Sequence, residues 1–367
     1  VSGKQYQVWL FSSTASAEKQ LSHFINELPL EFTIGLIFIV LGLFSSFRYS
    51  KKIFTFFVIT FLTTVLYSIN YDIHDIDSYF LLAYISLSFF TVFGVLKLFQ
   101  YLESSKISLT LSLSLIATIL LAHFYITYPN VNQRDNYAFK DYTKALINST
   151  DKNSVILSYQ WDYFVSSAYY FQLVEDFRKD VKVVDKELLR RSWYYHQLQT
   201  DHPQLLSGMK TDVNNFLTAV APFERDENFN SSVIEYAYEA VMTKLISSNI
   251  DKVSCYIGPE LFENEMQKGE FKLPAGYTIV PDLFLFKVTN QKHYIPAADP
   301  DFELRLPEHR GTYVKMIENF VGGMLARRAL YEMQFDKIDR AKLYINKIIT
   351  SLPDYTLPKQ LIDVLSK

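Results

Sequence analysis

Hydrophobic positions gather in four long runs near the start of the chain: Leu30 to Phe47, Ile53 to Ile69, Tyr79 to Phe99 and Ile107 to Ile126. Each approaches the roughly 20 residues that a helix needs to cross a bilayer. No Asp or Arg interrupts them, and Glu31 and Lys97 sit at run ends, within reach of lipid headgroups. A buried helix of a soluble protein usually shows a polar stripe, which these runs lack. The pattern therefore predicts four transmembrane helices over residues 30–126.

The short connections give a direction. Arg48, Lys51 and Lys52 follow the first run without a carboxylate between them, and clustered cations of this kind favour the cytoplasm. The second connection, Asn70 to Ser78, carries Asp72, Asp75 and Asp77 and no Lys or Arg, as an outer loop can. The third, with Lys97, Glu103 and Lys106, is again weakly positive. An extracytoplasmic position follows for residues 1–29 and for everything after Ile126. In that leading segment Leu21, Phe24, Ile25 and Leu28 recur at helical spacing, which suits a helix lying on the membrane surface or one packed on the protein. Trp9 and Phe11 would suit the interface. Val1 to Phe11 lacks the cationic start and apolar centre of a signal peptide, so a processed or truncated start is expected.

Beyond the runs, strand and helix patterns alternate. Ser154–Tyr159, Val181–Val184, Val253–Ile257 and Thr278–Val288 read as strands; Trp161–Phe177, Glu187–Gln199 and Ile234–Ile246 read as helices. This predicts an α/β domain over 127–310, with a mainly parallel sheet covered on both faces. Residues 311–367 predict a helical hairpin, Tyr313–Gln334 and Ile338–Ser351, in which Ala341, Ile345, Ile348 and Pro353 are spaced as in a tetratricopeptide (TPR) unit. A lone unit cannot bury its own faces, so it should cap the α/β domain or dock on a partner.

A mean hydropathy near zero hides this division, since it averages an apolar third with a polar remainder. The net charge of −3 gives no reason to expect nucleic acid, and the single Cys255 excludes an internal disulfide. Gly258-Pro259 and Gly322-Gly323 lack the spacing of a phosphate-binding loop. His196, His202, His293 and His309 lack zinc-ligand spacing, and neither a Ser-His-Asp set nor a nucleophile elbow is evident.

Ser158-Tyr159-Gln160-Trp161-Asp162-Tyr163, Ser166 to Gln172, Arg178 to Val181 and Leu188 to Tyr194, with the loop Tyr71 to Leu81, resemble the DUF2723 family. These are polytopic membrane proteins related to protein O-mannosyltransferases of the GT-C class. The resemblance implies transfer of a hexose, mannose-like, from a polyprenyl-phosphate donor in the membrane to Ser or Thr of an exported polypeptide. It also implies that this chain is the C-terminal part of the enzyme, with the usual catalytic Asp outside it.

Candidate chemistry sits in two places. The loop acids Asp75 and Asp77, near Asp72 and His74, could serve as a general base or bind a divalent cation, or could be solvated charges that cap the next helix. Trp161, Asp162, Tyr169, Tyr170 and Gln172 could form an aromatic platform for a sugar or an acceptor peptide, since aromatic faces stack on apolar ring surfaces and amides read hydroxyls. With 30 Phe and 26 Tyr in the chain, core packing explains the same residues. Arg178, Arg190 and Arg191 could meet a phosphate, although Arg178 with Asp180 also reads as an ion pair. No dedicated metal site is expected. The alternatives from other classes are a non-catalytic, membrane-anchored module that recruits an exported partner, and a transporter, which the unbroken, uncharged runs disfavour.

Overall fold

The computed structural model describes residues 13–365 except positions 74, 270 and 309, so Trp9, Phe11, His74 and His309 lie outside the described residues. The chain forms two compact units, Val1–Asn132 and Gln133–Lys367.

The first unit is helical. Ser13 caps α1 (Thr14–Phe32) by accepting the Ser16 N–H at 3.0 Å. Then come α2 (Gly35–Tyr49), α3 (Lys51–Ser68), a 3₁₀ turn (Ile76–Phe80), α4 (Leu81–Ser104) and α5 (Leu109–Val131). Three helical segments are long and apolar enough to cross a membrane: Lys51–Ser68, Ile76–Ser104 and Leu109–Pro129. On α5, Leu113, Leu120, Leu121 and Phe124 are exposed, a surface suited to lipid or to further helices rather than to water.

The first apolar run departs from expectation. It is split, because α1 and α2 meet at an angle of 101°. The turn falls at Thr33, whose φ of +45° is a left-handed value that a β-branched residue rarely adopts. Its N–H still reaches Pro29 O at 3.0 Å, closing α1, and α2 starts two residues later. The bend places α1 crosswise to α2, as the amphipathic pattern of Leu21, Phe24, Ile25 and Leu28 allows. Phe24 is buried against Phe80 and Tyr84, with ring centroids at 4.6 and 5.4 Å.

Helices α2 and α4 are joined through two glycines. A Cβ on Gly42 would lie 1.7 Å from Phe90 O, and one on Gly94 would lie 2.0 Å from Phe38 O. The two backbones therefore touch where neither residue carries a side chain, the arrangement small residues permit between membrane helices.

The second unit is a sheet with helices on both faces. Its elements run α6 (Ala138–Asn148), β1 (Val155–Ser158), a π-type turn (Trp161–Val165), α7 (Ser166–Val174), β2 (Lys182–Asp185), a 3₁₀ turn (Leu188–Arg190), α8 (Ser192–Asp201), α9 (Lys210–Glu224), α10 (Ser231–Ser247), β3 (Cys255–Ile257), α11 (Pro259–Leu261), β4 (Thr278–Asp282), β5 (Leu285–Thr289), α12 (Thr312–Gln334), α13 (Ile338–Ser351) and α14 (Lys359–Leu365). Strand order is β2-β1-β3-β5-β4. Alternating side chains separate the faces. Ile156, Val183, Tyr256 and Leu285 pack with α6, α7, α12 and α13; Val155, Leu157, Val184, Ile257 and Phe286 pack with α8, α9 and α10.

The sheet is mixed rather than mainly parallel. β1 runs parallel to β2 and β3, whereas β5 is antiparallel to both β3 and β4. The stretch Thr278–Val288 is two strands folded at Leu283, whose φ is +49°, and a tight turn can join only antiparallel neighbours.

The terminal hairpin belongs to the core. Val314, Ile317, Val321 and Leu325 of α12 and Tyr344, Ile345 and Ile348 of α13 are buried in the same cluster as β1 and β2. A fully buried ion pair, Arg328 with Glu332 at 2.7 Å, reinforces it. Arg328 also donates to Pro281 O and Ile295 O at 2.9 and 2.7 Å, so both charges are compensated where water is excluded.

Candidate functional site

The acidic loop of the first unit is a clasp. Gln20 on α1 is buried and its amide donates to Tyr71 O and Ile73 O at 3.2 and 3.3 Å. His23 meets Asp77 at 2.7 Å, and Lys19 lies 3.9 Å from Asp72. Asp75 is exposed at the start of the 3₁₀ turn, its carbonyl accepting the Ser78 hydroxyl at 3.0 Å. Among the described residues no three His, Cys, Asp or Glu converge on a cation position. Asp72 and Asp77 are thus turned toward α1.

A mainly apolar pocket of about 290 Å³ in this unit carries Glu31, Tyr84, Ser88, Thr91 and His123 in its wall. Thr33 Oγ1 and His123 Nδ1 share a hydrogen bond of 2.6 Å across the α1–α2 bend. His123 lies inside the fourth apolar run, where the sequence reading passed over it.

In the second unit, the crevice at the carboxyl ends of β1 and β3 is where open α/β sheets commonly bind ligands, because the chain leaves adjacent strands in opposite directions there. This protein fills it with its own carboxylate. Glu260 is buried and accepts from Ser158 Oγ at 2.6 Å, from the Tyr159 N–H at 3.0 Å and from the Gln160 amide. Tyr142 donates to Gln160 Oε1 at 2.8 Å, extending the network. Burial pushes the Glu260 carboxyl upward, against these bonds. Gly258 is needed here, since a Cβ on it would lie 2.2 Å from Glu260 Oε1. The position is structural.

The open site lies at the edge strand β2. Tyr169 of α7 and Tyr194 of α8 join hydroxyls at 2.7 Å, and Tyr194 accepts the Asp185 N–H at 3.1 Å. Trp161 stands edge-on to Tyr169 at 6.2 Å, and Trp193 edge-on to Tyr194 at 5.7 Å; both indoles are about half exposed. Between α7 and α8 a cavity of about 280 Å³ is lined by Tyr169, Gln172, Tyr194, Gln197, Asp201 and His202, with Val183 among its apolar walls. Burial raises both phenols, Tyr194 to about 12, and lowers the His202 imidazole, aided by Lys182. The cavity therefore presents hydroxyls, amides and an imidazole beside one carboxylate and the Lys179 ammonium. Such a set can bind hydroxyl- or amide-bearing ligands, but it does not pair a nucleophile with a base.

Of the residues singled out from sequence, Tyr169 and Gln172 line this cavity, and Trp161 touches it only through the Tyr169 ring. Tyr170 is exposed on α7 and Asp162 is exposed in the π-type turn, neither lining the cavity. Arg178 grips Asp180 with two bonds of 2.8 and 2.9 Å and reaches Ile147 O and Asp151 O at 3.3 and 3.1 Å. Arg190 grips Glu235 with bonds of 2.8 and 2.9 Å and covers the Tyr238 ring at 3.8 Å. Both guanidinium groups are engaged by carboxylates, Arg178 in the ion pair with Asp180 that its sequence spacing allows. Arg191 is half-buried at the N-terminus of α8 and is not in the cavity wall. Sequence reasoning missed Tyr194, Gln197 and Asp201 as site residues, although their helical spacing puts them on one face of α8.

A family described as TMEM260-associated domain 2 matches residues 139–206. No curated protein and no solved structure matches the chain. Every residue lining the β2 cavity falls within the matched segment, which begins in α6 and ends just beyond α8.

Proposed function

We propose that this chain is the C-terminal part of a GT-C-type membrane glycosyltransferase that moves a hexose from a polyprenyl-phosphate donor to Ser or Thr of an exported polypeptide. In this reading four spans anchor it, the bent α1–α2 pair serving as the first, and the Gln133–Lys367 unit is extracytoplasmic and holds the acceptor. The observation that carries the reading is the aromatic cavity beside β2, coincident with the matched segment, in a chain whose other unit carries apolar helices able to cross a membrane. Two half-exposed indoles flanking hydroxyl and amide groups suit a polypeptide or sugar that arrives from water. A TMEM260-associated domain also fits a membrane protein.

The absence of a nucleophile–base pair in the cavity supports a second reading, a non-catalytic membrane-anchored module that recruits an exported partner. The deciding experiment is transfer of radiolabelled hexose from polyprenyl phosphate to a Ser/Thr peptide by the full-length protein in nanodiscs. The transferase reading expects Trp161→Ala with Trp193→Ala to raise the acceptor KM. It expects Asp75→Ala and Asp77→Ala to lower kcat only if the loop also acts in catalysis. Acceptor binding without any transfer would establish the module instead.

A further inference from the structure

Tyr170, which the aromatic pattern singled out and the cavity does not use, begins an exposed apolar face. Leu173 and Val174 follow it on α7, three and four residues on, so the three side chains stand together on one side of the helix. They are 54%, 70% and 65% exposed, while Phe171 and Gln172 between them are buried. A second exposed apolar face lies on α10, at Val233 and Tyr236. The sheet separates the two, since α6 and α7 pack on the side of Ile156 and Val183, and α10 packs on the other. The α7 face is the one beside the chain's entry into this unit. Lys144 of α6 lies over the Phe171 ring at 4.6 Å, so α7 rests on the helix with which the unit begins. Residues 132–137 alone separate α6 from α5, a helix apolar enough to cross a membrane, and a link of six residues reaches at most about 20 Å. Cations near the face are already paired, Lys144 with Glu175 at 2.6 Å and Lys179 with Asp176.

We propose that Tyr170, Leu173 and Val174 form a membrane-contact face, which seats the Gln133–Lys367 unit on the lipid surface. The tether identifies the occupant. A bilayer that holds α5 is kept permanently within reach of the unit, at a local concentration that no free partner matches. A tyrosine beside two aliphatic side chains suits the headgroup boundary, where ring and chains enter the acyl region and the hydroxyl stays in water. Because the neighbouring cations are paired, burial of apolar surface drives the contact rather than attraction to anionic lipid, so lipid charge and salt should matter little. Leu173 also lines the cavity between α7 and α8, which this contact brings next to the membrane surface. The inference stands whether the chain is a transferase or a recruiting module.

The test uses the full chain in nanodiscs, with a spin label attached through Val174→Cys or, for comparison, through Tyr236→Cys. Cys255 is buried, so labelling is confined to the introduced thiol. Collisions of the label with oxygen, which concentrates in lipid, are compared with collisions with a water-soluble nickel complex. The expected result is an oxygen-to-nickel ratio about fivefold higher at position 174 than at position 236. It should be the same in phosphatidylcholine discs and in discs containing phosphatidylglycerol, and at low and high salt. Tyr170→Glu should lower the ratio at position 174 by about threefold, with the melting temperature unchanged because Tyr170 is exposed. If that variant does not fold, the comparison of the two labels still decides. Water-like values at both positions would overturn the proposal. So would a label at position 174 shielded from both reagents by a protein partner or a second copy, or a contact that vanishes in uncharged lipid or at high salt.

Discussion

Tyr194 takes the backbone N–H of Asp185 at 3.1 Å and shares a 2.7 Å bond with the hydroxyl of Tyr169, so the two phenols are not equivalent. Removing the Tyr194 hydroxyl strands a buried N–H, whereas removing that of Tyr169 leaves Tyr194 with its backbone partner. Tyr194→Phe should cost about 1–3 kcal/mol of stability and Tyr169→Phe about 0.5–1.5 kcal/mol. Denaturant unfolding of the two variants tests the ranking; equal losses would contradict the asymmetry.

Trp161 and Trp193 pack edge-on against the cavity tyrosines Tyr169 and Tyr194 but are about half exposed, so they contribute little to the core. Each change to Ala should alter stability by no more than about 0.5 kcal/mol. Peptide affinity should fall by roughly fivefold for each, on the scale of an aromatic contact. A melting temperature that drops while affinity holds would make them packing residues.

Burial raises the Asp185 carboxyl from its ordinary 3.8 to about 6, against the Leu188 N–H that it accepts at 2.8 Å. The folded state then binds more protons than the unfolded one between those values. Stability falls as pH rises through that window and is flat above it. Asp185→Asn keeps the acceptor oxygen and removes the charge, so it should be about 2 kcal/mol more stable than the parent at pH 8 and equal to it near pH 4.

Asp180 has the opposite sign, since the Arg178 guanidinium holds it at about 2. Its contribution is present above the ordinary 3.8 and lost as pH falls toward 2. The pair is partly exposed and screened, so Asp180→Asn should cost only about 1 kcal/mol at pH 7 and nothing below pH 2. Unfolding of these two carboxylate variants across pH 2–8 checks both signs.

The α2–α4 seam predicts a sharp contrast among glycines. Gly42→Ala or Gly94→Ala drives a methyl into a backbone carbonyl, at a cost of about 1–3 kcal/mol. Gly35→Ala meets its nearest neighbour, Phe32 Cβ, at an ordinary 3.6 Å and should be neutral. Thermal unfolding in detergent compares the three.

What sequence made legible follows from the range of the interactions. Apolar runs could be read because bilayer thickness acts on consecutive residues, and Trp161, Tyr169 and Gln172 because they lie within a few turns of one another. The break at Thr33 was not legible, since a left-handed β-branched residue is held by its surroundings, His123 among them. The turn at Leu283 carries no Gly or Asn signal. Glu260 pairs with Ser158 across about a hundred residues, a contact that exists only once β1 and β3 lie side by side.

Helix α2 has 15 residues, about 22 Å of rise at 1.5 Å per residue, whereas a bilayer core is about 30 Å thick. A helix that short has little hold on lipid of its own and would thin the membrane or drift along its normal. Backbone touching backbone at Gly42 and Gly94 fixes the axial register of α2 against α4, because sliding by even one residue would bring a side chain into a gap that has no room for a methyl group. The position at which α1 turns aside is therefore tied to α4.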